Sequence, residues 1–258
     1  MKFVTLTTDF GNRDYYAGAL KGAILQKSPD AKLVDITHEI KPYDIVHGAF
    51  VVANIWNEFP EGSIHLVGVN CVYQPEFRFV ALRHHGHYFV APDNGLLAIL
   101  FPGTEQNNLR SVPTDTNVHF AVKHVFAAAV NHLIQGLPFD ELGSPPSTIV
   151  ERISLQPVIL SDRIRGTVIH VDHFDNVVVN IRRELFDEIA GGRPFSLYFK
   201  RNDPITTLSG NYCDVATGEQ LCLFNMAGFL EIAVNMGRAA TLLGLKSDDT
   251  VEVVFNQE

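Results

Sequence analysis

Cysteine, positive charge and long apolar runs are all scarce in this 258-residue chain. The three cysteines are scattered and form no CxxC pair, which excludes a disulfide scaffold and a zinc site built from thiolates. Lysine and arginine total 20 against 29 acidic residues, and the net charge of −9 argues against nucleic acid and anionic membranes as partners. No apolar run has the length of a membrane span and the N-terminus lacks a signal-peptide core, so we expect a cytoplasmic protein without membrane contact.

Motifs for bound metal or phosphate are missing as well. The eleven histidines show no HExxH-like spacing, and we therefore predict no metal site and no cofactor. Three of them, His84, His85 and His87, fall at the tip of a predicted hairpin, where we expect them to be exposed to solvent. The loop after the first strand carries an acid and lacks the glycines of a phosphate loop, so we do not expect it to bind phosphate.

Material for a core is plentiful, since 46% of the residues are hydrophobic. In the first part of the chain, short apolar strand patterns alternate with helix patterns, which predicts an α/β domain with a mostly parallel sheet covered on both faces. After a Pro- and Ser-rich stretch, short strands separated by turns predict a smaller all-β, barrel-like domain. The predicted boundaries are 1–145 for the α/β domain, 146–157 for the linker and 158–258 for the barrel-like domain. We predict strands at 3–7, 31–36, 64–69, 79–82, 88–90, 166–171, 177–181, 195–199, 220–224, 230–234 and 251–255, and helices at 15–25, 44–56, 125–134, 183–189 and 237–242.

Polar side chains follow the first two predicted strands, where α/β sheets bind their ligands. Asp9, in the sequence TTDFG, could accept hydrogen bonds from a ribose diol, or it could cap the following turn. His38 follows the second strand and could be a general base, although a hydrogen bond to neighbouring backbone is the more common role of such a histidine.

A second group of polar and aromatic residues lies in the predicted β domain. In the sequence VDHFDN, Phe174 could stack on a purine, and Asn176 could read an adenine edge by paired hydrogen bonds. The same residues are also compatible with an ordinary turn or β-bulge. The later turns at 224–229 and 235–237 combine amide and apolar side chains in a similar way.

The order of five short motifs is more specific than any one of them. TTDFG, DITHEI, APDNGLL, VDHFDN and FLEIAVNMGRAATLLGL occur along essentially the whole chain in an order and spacing that resemble the S-adenosylmethionine (SAM) hydroxide adenosyltransferases. These enzymes, also called SAM hydrolases, are related to the nucleophilic fluorinase and chlorinase. The resemblance implies an α/β N-terminal domain, a β-barrel-like C-terminal domain and a homotrimer. It also implies that SAM lies between the N-terminal domain of one subunit and the C-terminal domain of its neighbour.

The resemblance assigns roles to several loop residues. Asp9 matches the acid that holds the ribose hydroxyls, Asp14 a nearby acid in the same loop, and Tyr43 an aromatic that packs along the nucleoside. Asp172 matches the acid that meets the methionine ammonium. The adenine-facing residues, and the segments that line the methionine and adenine ends, match Phe174, Asn176, Met226, Ala227, Asn235 and Met236.

The catalytic set of the family does not carry over unchanged. The hydrolases resemble one another in an Asp–Arg–His set that positions the attacking water. Here Asn70 stands in the position of the Asp, Arg78 is offset from the position of the Arg, and Ala121 replaces the His. His119, two residues earlier, would point to the same side of an extended segment and is our candidate substitute, ahead of His124.

Three functions remain open on these residues. We rank first a SAM hydrolase that forms adenosine and methionine, slowed by the altered set, because general-base help is worth about 10²–10⁴-fold. A protein that binds SAM or adenosine without turnover ranks second. A SAM-dependent halogenase ranks third, because the segment 89–119 holds no insertion large enough for a dedicated halide pocket.

Overall fold

A computed structural model describes residues 2–71, 77–114, 119–152, 156–200 and 203–256. The internal contacts divide the chain into two compact units, Met1–Ser154 and Leu155–Glu258. The predicted linker, 146–157, spans this boundary, and its residues 153–155 lie outside the described residues. Across the described ranges, no helix is both long and apolar enough to cross a membrane.

The first unit is built around a six-stranded sheet. Its strands are β1 (Phe3–Thr8), β2 (Lys32–Thr37), β3 (Ile64–Gly68), β4 (Phe79–His84), β5 (His87–Pro92) and β6 (Leu109–Val112). They are ordered β2-β1-β3-β5-β4-β6, with parallel pairing from β2 to β5 and antiparallel pairing from β5 through β4 to β6. This is the α/β arrangement with a mostly parallel sheet that the sequence predicts.

Helices cover both faces of this sheet. They are α1 (Tyr16–Lys27), α2 (Ile45–Ala53), α3 (Leu96–Leu100) and α4 (Ala121–Ile134), with 3-10 turns at Trp56–Glu58, Gln106–Asn108 and Phe139–Glu141. α1 packs with α4 over one face, and α2 packs with α3 over the other. Successive strand residues enter opposite cores, since Phe79 joins the first and Val80 the second.

The strand order creates a topological switch point at β1 and β3. The chain leaves β1 through α1 to reach β2 on one side, and then crosses through α2 to β3 on the other side of β1. Open α/β sheets bind ligands outside the carboxyl ends of strands at such a point. The loops that follow β1, β2 and β3 are therefore where a site is expected in this unit.

The second unit holds an antiparallel sheet. Its strands are β7 (Val158–Ile159), β8 (Arg163–Val171), β9 (Val177–Arg182), β10 (Phe195–Tyr198), β11 (Gln220–Phe224), β12 (Phe229–Val234) and β13 (Thr250–Phe255). They are ordered β10-β13-β8-β9-β12-β11, and β7 adds to β8. The first part of β8 pairs with β13 and the last part with β9, so the sheet curls into a half-barrel.

A glycine permits this curl. Gly166 lies in β8 close to where its partner strand changes, and a Cβ atom there would lie 2.7 Å from Val179 and 2.8 Å from Ile181. Side chains do not approach one another so closely, so the missing side chain is what lets β9 pack across β8. The described helices of this unit are α5 (Arg183–Ala190), α6 (Ala239–Leu243) and a 3-10 turn at Tyr212–Asp214.

The predicted helices and strands are confirmed, with local differences at their ends. The helix predicted at 125–134 begins earlier, at Ala121, directly after Phe120, whose φ of 56° cannot belong to a helix. The helix predicted at 44–56 ends at Ala53. Three short elements, α3, β6 and β7, were not predicted, because five, four and two residues are too few to show a period.

The hairpin of β4 and β5 carries a histidine into the core. His87 is only 4% exposed, so the expectation that all three hairpin histidines face solvent is wrong. Its ring packs edge-on to Trp56, with 5.1 Å between centroids, and its Nδ1 lies 3.1 Å from Nε2 of His65. His65 is itself buried, and its Nδ1 lies 2.8 Å from Oγ1 of Thr5. Burial, with a smaller contribution from the charge of His87, lowers the pKa of His65 to about 3.

We predict that acid destabilises the first unit through His65. An unfolded histidine has a pKa of 6.5, so on acidification the unfolded chain binds a proton that the buried ring does not bind. This contribution to stability is complete above pH 6.5 and is lost as the pH falls toward the folded-state pKa of about 3. Between pH 7 and pH 5 the loss from this site is about 2 kcal/mol of unfolding free energy, which urea denaturation measures.

Two variants test the assignment. His65→Asn should be less stable at pH 7 but should lose less stability on acidification. His124→Gln, which changes an exposed histidine of α4, should keep the wild-type pH dependence. A wild-type pH dependence in His65→Asn would contradict the assignment.

Candidate functional site

The loop after β1 is held between the ends of β2 and β3. The amide of Asp9 donates to the carbonyl of Gly68 at 3.3 Å, and the amide of Gly11 donates to the carbonyl of His38 at 2.7 Å. Gly11 has a φ of 69°, a left-handed conformation that favours glycine. The ring of His38 is buried, and its Nδ1 lies 2.7 Å from Oγ1 of Thr8. This hydrogen bond holds the last residue of β1, where the loop begins.

The carboxylate of Asp9 is held by two backbone amides. Its Oδ2 accepts hydrogen bonds from the amides of Tyr43 and Asn70, both at 2.9 Å. These donors are 34 and 61 residues away, in the loops after β2 and β3, so Asp9 does not cap the turn that follows it. Among the described residues, Oδ1 has no hydrogen-bond partner and is available to a ligand. We call this arrangement the Asp9 clamp.

Both donors of the Asp9 clamp have a left-handed backbone. The φ angle is 68° at Tyr43 and 52° at Asn70. Asparagine tolerates this conformation better than tyrosine, and a residue held in it costs about 1–3 kcal/mol. Such strain is concentrated at functional sites, where the surrounding structure enforces it. The Tyr43 side chain is 67% exposed, so its ring is open to a ligand next to the clamp.

Aromatic rings connect this loop to the start of α4. Phe10 packs against Phe120 with 5.4 Å between centroids, and Phe120 packs against Tyr16 with 5.2 Å. A Cβ atom on Gly68 would lie 3.1 Å from the Phe10 ring, so glycine at the end of β3 leaves room for that ring. The exposed His119 directly precedes Phe120 in the chain.

Arg78 is engaged in an ion pair. Its Nε lies 2.7 Å and its Nη2 2.6 Å from Oδ2 of Asp93, and it also donates to the carbonyl of Thr148. Asp93 is buried, and its Oδ1 accepts a hydrogen bond from the amide of Val150 at 2.8 Å. The pair therefore fastens the segment 148–150 to the end of β5.

Asn94, in the motif APDNGLL, supports the loop that carries Asn70. Its Nδ2 donates to the carbonyls of Val69 at 3.0 Å and of Asn70 at 3.4 Å. Next to Asn70, burial and then the negative charge of Asp9 raise the pKa of Cys71 well above its usual value, so that this thiol stays protonated.

The other predicted site residues of the first unit form no hydrogen bond with the Asp9 clamp among the described residues. Asp14 lies in the exposed stretch before α1 and makes no hydrogen bond to the Asp9 clamp in the part of the chain that is described. Ala121, in the position of the family's His, is buried at the start of α4. Residues 72–76 of the predicted catalytic loop lie outside the described residues.

In the second unit, Asp172 and Asn176 close the turn between β8 and β9. Oδ1 of Asp172 accepts a hydrogen bond from the backbone amide of Asn176 at 2.8 Å, and Oδ2 from its side-chain amide at 3.2 Å. Asn176 is 7% exposed, whereas Phe174 in the same turn is 74% exposed. The same turn therefore holds a carboxylate and an amide in fixed positions and exposes an aromatic ring to solvent.

The segment after β12 lies against this turn. Asp175 accepts hydrogen bonds from the backbone amides of residues 240–241, both at 2.8 Å. Met236 is 89% exposed and has a φ of 55°, and Asn235 donates through Nδ2 to the carbonyl of Val215 at 2.8 Å. The structure thus brings the Asp172 turn and the Asn235–Met236 pair to one end of the half-barrel.

The predicted residues Met226 and Ala227 lie in the turn between β11 and β12, at the other end of β12. This turn is shaped by Asn225, whose Oδ1 accepts hydrogen bonds from the amides of Ala227 at 3.1 Å and Phe229 at 3.2 Å. The Met226 side chain is 96% exposed. The backbone of the turn is therefore fixed while its apolar side chain is free.

Glu231 and Tyr212 form a buried polar network that the sequence analysis missed. Glu231 is 3% exposed, and it accepts hydrogen bonds from the Tyr212 hydroxyl at 2.7 Å and from Nδ2 of Asn225 at 3.1 Å. Burial raises the pKa of Glu231, the charge of Asp172 adds to the rise, and the two hydrogen bonds oppose it. The single acid in the apolar strand FLEIAV was the available signal.

These residues offer acceptors, amides and aromatic rings. The Asp9 clamp presents one carboxylate oxygen, and the Asp172 turn presents a carboxylate, an amide and a ring. In the described part of the chain, no three His, Cys, Asp or Glu side chains are placed to hold a metal ion. A carboxylate oxygen accepts hydrogen bonds from hydroxyl and ammonium donors, and an exposed aromatic ring can stack on a heteroaromatic base.

Comparison with known proteins gives the same family for both units. The chain matches the SAM hydroxide adenosyltransferase N-terminal domain over residues 4–143 and the SAM hydroxide adenosyltransferase C-terminal domain over residues 166–252. It is 29% identical to an (R)-S-adenosyl-L-methionine hydrolase from Methanocaldococcus jannaschii, over 99% of this chain and 97% of that protein. It is 31% identical to an (R)-S-adenosyl-L-methionine hydrolase from Salinispora tropica, over 97% of both chains.

A solved structure shares the fold. An uncharacterized conserved protein from Thermotoga maritima superposes with a TM-score of 0.87 at 29% identity, covering 97% of this chain and 99% of that one. The resemblance drawn from the five sequence motifs is confirmed by the family match, which extends over most of both units. The chain belongs to the SAM hydroxide adenosyltransferase family.

Proposed function

We propose that this protein hydrolyses SAM to adenosine and methionine. Water attacks C5′ of the ribose, and the C5′–sulfur bond breaks with its electron pair going to sulfur. The attacking water loses one proton to solvent, either before the attack, as hydroxide, or after it. Methionine leaves as a neutral thioether, so the leaving group needs no protonation. The relatives from two organisms are named (R)-S-adenosyl-L-methionine hydrolases, which supports the (R) sulfonium epimer as the substrate.

The Asp9 clamp is the observation that carries this proposal. A carboxylate whose Oδ2 is held by two amides at 2.9 Å keeps its Oδ1 in a fixed position, and ribose hydroxyls are suitable donors to it. The exposed ring of Tyr43 lies next to the clamp and is proposed to pack along the nucleoside. Asp14 is proposed as a further acid in the same loop.

The second unit supplies the proposed contacts to the base and the amino acid. We assign the exposed Phe174 and the fixed amide of Asn176 to adenine. Asp172 is assigned to the methionine ammonium, because no cationic side chain pairs with it among the described residues. The backbone at 226–227 and at 235–236 is proposed to line the methionine and adenine ends.

Catalysis then depends on how the attacking water is positioned. Asn70 is fixed at the Asp9 clamp through its own amide, and the exposed His119 directly precedes Phe120, whose ring packs on Phe10. Both remain candidates to orient water. Arg78 is the weaker member of the predicted set, since its guanidinium is paired with Asp93. Orientation and desolvation without a dedicated base would give a slow enzyme.

Binding of SAM or adenosine without turnover is the second candidate function. It is favoured by two observations at the altered catalytic positions. Arg78 is tied to Asp93, and Ala121 is buried and has no group that could accept a proton. The proposed ligand contacts of Asp9, Asp172 and Asn176 are independent of these changes.

The proposed assembly is a homotrimer in the cytoplasm. Each pocket would take the Asp9 clamp from one chain and the Asp172 turn from the next, and closed cyclic symmetry would satisfy every pair. The three free cysteines suit a reducing compartment.

We expect purified protein to convert (R)-SAM slowly into equal amounts of adenosine and methionine. The two sulfonium epimers are incubated separately at high protein concentration, and the products are separated by chromatography against a heat-denatured control. Calorimetric binding of SAM without products would favour the second candidate. Formation of 5′-halo-5′-deoxyadenosine only with added halide would identify a halogenase instead.

Asp9→Asn should weaken adenosine binding by about 10- to 100-fold, because a charge-assisted hydrogen bond contributes about 1.5–3 kcal/mol. Its melting temperature should change little, since the amide oxygen can still accept the two backbone bonds. Asp30→Asn removes the same charge at an exposed position after α1 and is the matched control. Wild-type affinity for adenosine in Asp9→Asn, measured by calorimetry, would exclude the ribose role.

Subunit mixing should reveal a shared site. Asp9→Asn and Asn176→Ala chains, each deficient in SAM binding when refolded alone, are refolded together. If a pocket combines two chains, about a quarter of the pockets in randomly mixed trimers carry neither substitution and recover wild-type affinity. A monomeric mass in light scattering, or no recovery after verified subunit exchange, would reject the shared site.

A further inference from the structure

Glu231 is a buried carboxylate to which the proposed reaction gives no role. It lies on β12, where the residues from Leu230 to Val234 are otherwise apolar and buried, and it is 3% exposed. Burying a carboxylate is costly unless hydrogen bonds or an opposite charge compensate for the lost water. An acid at such a position therefore indicates a role other than packing.

The hydrogen bonds of Glu231 control the orientation of Asn225. Because Nδ2 of Asn225 donates to Glu231 at 3.1 Å, its Oδ1 must face the other way, toward the amides of Ala227 and Phe229. Those two bonds, at 3.1 and 3.2 Å, shape the turn between β11 and β12. The Tyr212 hydroxyl, at 2.7 Å, holds the other carboxylate oxygen.

The negative charge of Asp172 also acts on Glu231. The charge of Asp172 contributes to the raised pKa of both Glu231 and Tyr212, in each case after burial. The partners of Asp172 are the two amides of Asn176, and those of Glu231 are a hydroxyl and an amide. Within the described residues, no lysine, arginine or histidine forms an ion pair with either carboxylate. This region therefore combines two acids whose hydrogen-bond partners are neutral.

We propose that Glu231 is a positioning residue for the cationic amino-acid end of SAM. It orients Asn225 and through it the turn 225–229, and its negative charge adds to that of Asp172. SAM carries a sulfonium and an ammonium. These positive groups would balance the negative charge that the protein itself leaves unpaired at the two acids. The inference rests on the proposed function, because it assigns a role within that same site.

Glu231→Gln tests this role with the least change in volume. Glutamine removes the charge and replaces one carboxylate oxygen by an NH₂ group. That group is a donor, so it cannot accept the hydrogen bond that Nδ2 of Asn225 or the Tyr212 hydroxyl now donates to that position. We expect the calorimetric Kd for SAM to rise about tenfold while the Kd for adenosine stays within twofold of wild type, because adenosine lacks the amino-acid end. Tyr212→Phe removes only the hydroxyl and should raise the Kd for SAM by a smaller factor with the same selectivity.

Glu252→Gln is the matched control, since it neutralises an acid of β13 that pairs with Arg165 at 3.2 Å. It should leave both affinities unchanged. Equal losses for SAM and adenosine together with a lowered melting temperature would show a purely structural role and overturn the inference. Unchanged SAM affinity in Tyr212→Phe and in Glu231→Gln would overturn it as well, and Tyr212→Phe alone decides if Glu231→Gln does not fold. Absence of SAM binding by the wild-type protein would reject the proposed function first, and the inference with it.

Discussion

A single carboxylate oxygen, Oδ2 of Asp9, joins the loops that follow three neighbouring strands. It accepts the amides of Tyr43 and Asn70, while the Asp9 amide bonds the end of β3. Parallel strands bring these loops to one edge of the sheet, but their relative positions there depend on this oxygen. The left-handed backbone at Tyr43 and Asn70 and the aromatic packing of Phe10 are all arranged around it.

In the second unit, two acids fix turns of the backbone through neutral hydrogen-bond donors. Asp172 closes its own hairpin turn through Asn176, and Glu231 fixes a neighbouring turn through Asn225. Hydrogen bonds from hydroxyl and amide donors compensate part of the free-energy cost of burying these acids. They do not neutralise the negative charge. In the first unit, by contrast, the buried Asp93 is neutralised by Arg78 and serves to fasten a segment to the sheet. Asp93 is thus neutralised by a cation, whereas Asp172 and Glu231 are held by neutral donors among the described residues.

Much of this fold could be predicted because its signals are local. Apolar strands that end in polar loops indicated the parallel sheet, and the order of five motifs indicated the family. The pairing of Arg78 with Asp93 could not be predicted, since it depends on where β5 and the loop before β4 meet. The hydrogen bonds of Glu231 could not be predicted for a similar reason. Strand periodicity indicates the face on which a side chain lies, but it does not identify the side chains that contact it.

The Asp9 clamp draws both of its donors from the main chain, and this has a consequence for evolution. Substitution at position 43 or 70 by any residue other than proline changes the side chain but removes no hydrogen bond to Asp9. The requirement is tolerance of a left-handed backbone, which asparagine, aspartate and glycine meet most easily. The side chain at either position can therefore change among relatives of this protein while both amide hydrogen bonds to Asp9 are retained.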